Sequence, residues 1–282
     1  MPEGDSVYVL ARRLDRSLKG VQLSSGELRV PAYAEADLTR VTVLGHDTHG
    51  KHLLTRFDDG RTLHTHLKMS GSWTVVRSGK VLPGRLLPEV RVLLEVLGGP
   101  TAYGLNLPVV ELLPTAAERD AIGHLGPDPL RADWDAAAAV RRLSADPDRP
   151  VAAALLDQRL MAGLGNLWAN ELCFLRGISP WTRTGDVDVP ALVALAARCL
   201  RHSALVPGAY QVTTGRSRAG EDHWVAGRAG RPCRRCGTGV LVVEEVPGDA
   251  ERRRTWWCPR CQPGPGPEPS RTGPRAPVVP VP

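Results

Sequence analysis

Lysine is nearly missing from this chain: of 36 lysine and arginine residues, only Lys19, Lys51, Lys68 and Lys80 are lysines. The cationic surface is therefore almost all arginine, whose planar fork grips phosphate at two points and keeps its proton, so a lysine able to lose one is worth inspecting. Also missing is any apolar run near the ~18 residues a membrane span needs. The start of the chain lacks the long apolar stretch of a signal peptide, which excludes a membrane partner and leads us to expect an intracellular, cytoplasmic protein. What is present is length enough, at 282 residues, for two domains that each bury a core. A formal charge of +6 points to an acidic partner or to solubility alone. Four of the 6 cysteines form two C-x-x-C pairs, which in a reducing compartment argue for metal.

Hydrophobic periodicity divides the chain. From Val21 to about Pro114 short alternating runs are broken by Gly, Asp-Gly and Pro: Val41–Leu44, Leu53–Phe57, Leu63–Leu67, Trp73–Val76, Val90–Leu97 and Val109–Leu113. They predict an antiparallel sandwich or barrel. An opening helix, with Val7, Leu10, Ala11, Leu14 and Leu18 on its apolar stripe and Asp5 or Ser6 as its cap, is expected on the flank. After a small-residue stretch the period becomes helical over Trp134–Leu143, Val151–Leu160, Asn166–Arg176 and Pro190–Leu205. The expected class is α+β: a β-sandwich domain over 1–114, a linker over 115–133, a helical domain over 134–225, a cysteine finger over 226–262 and a disordered Pro-rich tail over 263–282.

Cys233-Arg-Arg-Cys236 and Cys258-Pro-Arg-Cys261 are the strongest local signal. Four thiolates on two knuckles close a tetrahedral site and the stretch between them fits a β-hairpin, so one structural zinc ion is expected, with redox or free thiols as the other reading. A closed ligand set leaves no position to activate water. Arg228, Arg231, Arg234, Arg235, Arg252, Arg253, Arg254 and Arg260 crowd this finger, as a phosphate surface or a merely solvated one. Cys173 and Cys199 read as small core residues.

The stretch Asp157-Gln158 to Gly163-Leu164-Gly165-Asn166 joins two helices through a glycine turn; its N–H groups and Asn166 suit a phosphate, or it is an αα-hairpin that only holds a core. Gly50-Lys51-His52 and His64-Thr65-His66-Leu67-Lys68-Met69-Ser70-Gly71 lie in the β half. Lys51 suits a phosphate or a proton in transit. His64 and His66 share a strand face as metal ligands or as satisfied strand histidines, and Met69 is an exposed hydrophobe or a wedge for a base stack. Met1-Pro2-Glu3-Gly4 is either a loose start or, once Met1 is removed, a secondary amine near the α-amino pKa range of ~7.7–8.0, able to form an iminium with a sugar C1′.

Taken in order, Pro-Glu-Gly, Gly-Lys-His, His-Leu-x-Met-Ser-Gly, the Asp-Gln-x-x-x-Ala-Gly-x-Gly-Asn hairpin and the four-cysteine finger closely resemble the formamidopyrimidine-DNA glycosylase/endonuclease VIII family of bacterial base-excision repair enzymes, over residues 2 to about 262. The resemblance implies a helix-two-turn-helix domain behind the sandwich, and damaged DNA as the partner of a monomer working at the nucleoid. It makes Pro2 the Schiff-base nucleophile, Glu3 the general acid that opens the deoxyribose, Lys51 a phosphate contact and an aid to β-elimination, and Asn166 a phosphate ligand. Arg253 becomes the finger arginine that clamps phosphates and assists δ-elimination, Met69 with its neighbour Lys68 the loop that fills the gap left by an everted base. Two departures favour the endonuclease VIII side and oxidised pyrimidines: no Arg/Phe void-filling pair stands near Tyr103-Gly104-Leu105, and His124 occupies the place of a phosphate-contacting Arg. The Met-Ser-Gly loop resembles the purine-excising branch instead.

Overall fold

The computed structural model describes residues 2–218, 220–244 and 253–267. Met1, Arg252 and the last fifteen residues of the expected tail, 268–282, lie outside the described residues. The chain divides into two compact units, Met1–Leu125 and Gly126–Pro282.

The first unit opens with helix α1 (Gly4–Leu18), which buries Val7, Ala11, Leu14 and Leu18. Eight strands follow: β1 (Ser25–Leu28), β2 (Val43–His49), β3 (His52–Phe57), β4 (Arg61–His66), β5 (Ser72–Val76), β6 (Val90–Glu95), β7 (Thr101–Leu105) and β8 (Val109–Pro114). They form two antiparallel four-stranded sheets, ordered β1-β6-β7-β5 and β2-β3-β4-β8, so the sandwich is realised and not the barrel. Alternation works as expected. Leu53 and Phe57 of β3, Leu63 of β4 and Val92 and Leu94 of β6 join the α1 stripe in one core, while His52, Leu54 and Arg56 point from β3 to the opposite face. A short helix α2 (Glu118–Ile122) covers part of that face, held by Arg56, whose guanidinium donates to both Glu118 oxygens at 2.7 and 2.8 Å.

The second unit contains α3 (Ala136–Leu143), α4 (Val151–Leu156), α5 (Asn166–Arg176) and α6 (Val189–Leu205). Their apolar faces meet around Leu155, Met161, Leu164, Trp168, Leu172, Leu192 and Leu200. Asp135 and Asp188 cap α3 and α6 by accepting the N–H of Ala138 and Ala191. The helix expected to reach Leu160 stops at Leu156, because Asp157 turns the chain: its carboxylate accepts the Arg159 N–H at 3.0 Å, a local alternative to the helical ladder. Two short strands, β9 (Leu241–Val243) and β10 (Thr255–Trp257), pair antiparallel as the finger hairpin. Residues 263–267, expected in the tail, dock instead on the helical unit, where the Ser179 hydroxyl donates to the Pro265 carbonyl.

Candidate functional site

Glu3 is the residue at the mouth of α1, two positions before Asp5 and three before Ser6, the expected caps: its backbone N–H donates to Ser6 Oγ at 3.2 Å, so Ser6 closes the first turn from inside it. Glu3 and Asp5 are fully buried and Pro2 is partly so, which ties the described terminus down. The direction of α1 then places it. Gly20 N–H donates to the Val43 carbonyl at 2.7 Å, and Asp15 accepts both the backbone N–H and the ring Nδ1 of His46, at 2.8 and 3.0 Å. Helix numbers fall as strand numbers rise. From Asp15 back to Gly4 is about 16 Å at ~1.5 Å per helical residue. From His46 to His49, the end of β2, is about 10 Å at ~3.3 Å per strand residue, and the Gly50-Lys51 turn lies just beyond it. Pro2, Glu3 and the Lys51 turn therefore occupy one end of the unit. Burial raises the Asp15 carboxyl, but the hydrogen bonds from His46 outweigh it and hold Asp15 below the usual carboxylate range.

The loop after β4 leaves from the same end, since His66 pairs with His52 across the ladder. Lys68 takes a left-handed backbone (φ 43°) and donates its N–H to His66 Nδ1 at 2.9 Å. A Cβ at residue 71 would lie 2.7 Å from the Leu67 carbonyl oxygen, so only glycine lets the chain fold back there. Leu67 anchors the loop in the core and Met69, 70% exposed, stands at its tip. Tyr103, Gly104 and Leu105 are strand residues of β7, paired with β5 and β6.

The outer face of β2-β3-β4-β8 carries a polar layer in which the sequence motifs gave a role only to His64, His66 and His124. At one end Glu118 accepts from Arg56 and from Thr62 Oγ1, at 2.8 Å for the latter, and Arg56 also reaches Asp47 at 3.2 Å. Burial raises the Glu118 carboxyl, and these donors more than reverse it. At the Lys51 end lie histidines. His52 Nδ1 is 2.7 Å from His64 Nε2, and His64 Nδ1 is 2.8 Å from Glu111 Oε2. The His52 ring also stacks on His64 (5.0 Å between centroids) and meets His66 and His124 edge-on at 4.7 and 6.2 Å. Both nitrogens of His64 are used in this way, so it is a satisfied strand histidine. Burial, then the neighbouring His66, His64, His124 and His49, push the His52 ring down to about 3.

In the second unit Asn166 starts α5 and is only 7% exposed. Its side-chain amide donates to the Arg254 carbonyl at 2.8 Å, beside Arg253. One turn later the Asn170 side-chain oxygen Oδ1 accepts the Trp256 N–H at 2.7 Å. Two amides at i and i+4 thus staple the backbone at β10 to the helix face. Glu171, the next residue, is fully buried and accepts the N–H groups of Trp224, Val225 and Ala226 at 2.9, 2.8 and 2.8 Å, as well as the Thr213 hydroxyl. The hairpin stretch read from the sequence runs from Leu155 to Glu171, but sequence reasoning gave Asn170 and Glu171 no role; two polar residues in an otherwise apolar helix were the available signal.

The Sγ atoms of Cys233, Cys236, Cys258 and Cys261 lie within 4.8 Å of one another, with 3.9 Å for Cys233–Cys261 and 3.4 Å for Cys236–Cys258. Tetrahedral sulfurs at about 2.3 Å from a zinc ion sit ~3.8 Å apart, so the donor set fits a closed four-thiolate site. Burial and then neighbouring sulfurs push Cys261 up, while Thr238 draws Cys236 down to about 6. One central cation would relieve the crowding of negative charge among four thiolates. Cys173, pushed up to about 12 by burial, is a core residue.

A model of the formamidopyrimidine-DNA glycosylase N-terminal domain matches residues 1–101, and one of the H2TH domain of the same glycosylase matches residues 125–201. The chain belongs to the formamidopyrimidine-DNA glycosylase family. Among its relatives, a Streptomyces coelicolor protein named probable endonuclease 8 2 is 47% identical over 279 residues, 98% of this chain and 99% of that one. The DNA-(apurinic or apyrimidinic site) lyase Nei2 of Mycolicibacterium smegmatis is 43% identical, covering 93% of this chain and 99% of its own. The fold of this glycosylase-family chain matches the Lactococcus lactis Fpg in complex with DNA containing an abasic site, with a TM-score of 0.75 at 23% identity, covering 93% of this chain and 100% of the other. Among the described residues no helix is long and apolar enough to cross a membrane.

Proposed function

We propose that this chain is a bifunctional DNA glycosylase and AP lyase of base-excision repair, working in the cytoplasm as a monomer on damaged DNA. The observation that carries the reading is the placement of Pro2 and Glu3, by the buried stripe of α1, at the end of the sandwich that also presents Lys51 and the Met69 loop. The match to endonuclease 8 and AP-lyase relatives over nearly the whole chain supports it. In this reading residues 1–114 are the catalytic sandwich, 134–225 the helix-two-turn-helix domain and 226–262 the finger.

An amine fixed on a folded domain cannot reach a C1′ inside a stacked duplex, so the damaged nucleotide is rotated out and Met69 fills the gap. The Pro2 nitrogen bonds to C1′ as the base leaves; Glu3 delivers a proton to the ring oxygen as the sugar opens, giving an iminium. The iminium draws electrons from C2′, whose proton is lost as the 3′ phosphate departs in β-elimination; δ-elimination then expels the 5′ phosphate. Lys51, Lys68, His124, Asn166 and Arg253 hold backbone phosphates, and Asn166 has a second amide hydrogen beyond the one given to Arg254. Cys233, Cys236, Cys258 and Cys261 hold one zinc ion, which supplies structure to the finger and no step of the reaction. Oxidised pyrimidines are the preferred lesions. The strand pairing of Tyr103–Leu105 supports this, as that stretch offers no Arg/Phe pair to a void; the Met69-Ser70-Gly71 loop weighs the other way.

Borohydride reduction during incubation with lesion DNA tests the mechanism. The expected product is a covalent adduct mapped to residue 2, with oxidised pyrimidine trapped faster than 8-oxoguanine opposite cytosine. Retaining Met1 or adding residues ahead of Pro2 removes the secondary amine, and cleavage is expected to fall by more than about 1,000-fold while DNA binding survives. Normal cutting by a blocked terminus, or an adduct at Lys51, refutes the role of Pro2.

A further inference from the structure

The polar layer at the Lys51 end contains more than the proposed reaction uses. Five histidines from four segments converge there: His49 on β2, His52 on β3, His64 and His66 on β4, and His124 after α2. Register is the cause. His49 pairs with His52 and His52 with His66, so these three form a row across the sheet; His64 lies two residues along β4 and pairs with Glu111 on the edge strand β8. The other charged groups of this face are Asp47 on β2, already joined to Arg56 of β3, Glu118 of α2 beyond it, and the cations Lys51 and Lys68 in the adjoining turn and loop.

The hydrogen-bond chain Glu111–His64–His52 has two proton arrangements. In the neutral one His64 donates from Nδ1 to the Glu111 carboxylate, at 2.8 Å, and accepts at Nε2 from His52 Nδ1–H, at 2.7 Å. His52 Nε2 is then an acceptor. One added proton at His52 Nε2 reverses the second link: His52 Nδ1 passes its hydrogen to His64 Nε2. The positive charge then rests on His64 against the carboxylate, and His52 keeps an N–H at Nε2. The chain thus turns an acceptor on His52 into a donor while the positive charge rests one ring away, against Glu111. His66 Nδ1 accepts the Lys68 N–H, so the neutral His66 ring carries its own hydrogen at Nε2.

We infer that this histidine cluster is a proton-linked phosphate subsite, in which a DNA phosphate held at the Lys51 turn is bound together with one proton taken into the His52–His64–Glu111 chain. In the free protein burial and four neighbouring rings keep His52 neutral; only the protonated chain gives His52 an Nε2–H to donate to a phosphate oxygen, so binding and protonation assist each other. Glu111 is a positioning residue here, since it acts on the phosphate only through the two rings. The inference rests on the DNA-binding reading above.

The test is titration calorimetry at pH 6.5 with a duplex carrying a tetrahydrofuran abasic analogue, which cannot be cleaved. Runs in two buffers of different ionisation heat give the number of protons taken up. For the wild type we expect an uptake of a few tenths of a proton, because an adjacent anion raises the suppressed histidine from about 3 by ~1–3 pH units. Glu111→Gln keeps an acceptor for His64 Nδ1–H but removes the negative charge, and its side chain is 48% exposed, so the fold is not at risk. It should lose at least half of that uptake, and Glu111→Asp should restore it. The Pro2 amine also takes up protons near neutral pH, so the assignment is read from the difference between wild type and Glu111→Gln. Equal uptake in the two proteins, or none in the wild type, overturns the inference and leaves the glycosylase reading standing. A duplex that fails to bind at any pH overturns the DNA-binding reading itself, and this inference with it.

Discussion

Met69 is 70% exposed and Asn166 only 7%, and that contrast runs through the two units. In Met1–Leu125 the candidate groups stand at a terminus, a two-residue turn and a loop tip, where a substrate can meet them. In Gly126–Pro282 the polar side chains that matter most are turned inward: Asn166, Asn170 and Glu171 spend their hydrogen bonds on the protein's own backbone. The first unit also has structural side-chain bonds, Asp15 to His46 and Arg56 to Glu118, but its strands hold register through their own backbone ladders. The second has short strands and long connections, and it uses buried side chains to fix loops that no sheet supports.

The sharpest way to break this contrast is to remove the inward-facing carboxylate. Glu171→Ala leaves three backbone N–H groups and the Thr213 hydroxyl without their acceptor in a buried site. We expect a loss of at least about 3 kcal/mol, with Glu171→Gln intermediate, because an unsatisfied buried donor costs ~1–3 kcal/mol. Urea unfolding followed by tryptophan fluorescence suits the measurement, since every tryptophan but Trp73 lies beyond residue 126. A Glu171→Ala midpoint within error of wild type would show that Glu171 does not hold these loops.

Sequence and structure agree where an element is defined by its own periodicity or by a short turn. The α1 stripe, the β3-β4 hairpin and the span of α5 are of this kind. Strands β1 and β7 are not legible, because each carries a glycine where alternation is expected. Gly26 and Gly104 read as turn residues, yet a Cβ on either would come within 2.5 Å of a leucine side chain, Leu38 or Leu107. They mark close packing inside a sandwich, which only the second sheet reveals. The paired histidines of β4 were visible, but their bond to His52 depends on cross-strand register and the approach of His124 on a long fold-back of the chain. Glu171 was hidden for the same reason: its partners are 42 to 55 residues away.

Acid should expose the corresponding weakness of the first unit. His52 is held at about 3 against the ordinary histidine value of 6.5, so between those limits the unfolded chain binds a proton that the folded one refuses. The stabilisation is complete above pH 6.5 and declines as pH falls; at pH 5 the loss is about 2 kcal/mol. Denaturant midpoints followed by circular dichroism from pH 7 to 4.5 should show this slope, and His52→Gln should flatten it. The window separates it from Asp15 and Glu118, whose lowered carboxyl values act below pH 4.5. A wild-type midpoint that does not move above pH 5 counts against a buried neutral His52.

The smallest effect is expected where the second unit meets substrate rather than itself. Arg253 precedes the Arg254 carbonyl that Asn166 holds, so its backbone is positioned by α5 while the role proposed for its side chain is that of a phosphate clamp. Arg253→Ala removes one cation and none of the staple. Binding to lesion duplex should weaken by about 1 kcal/mol, and the slope of log affinity against log salt between 50 and 200 mM should shrink by about one phosphate contact. Base release should change less than strand scission, with δ-product reduced relative to β-product on a denaturing gel. The contrast between the units makes this specific: Asn166→Ala disturbs the staple as well as the clamp, so it should lower both stability and binding. If Arg253→Ala destabilised the fold as much as Asn166→Ala, or left salt slope and product ratio unchanged, Arg253 would belong with the inward-facing groups and not at the DNA.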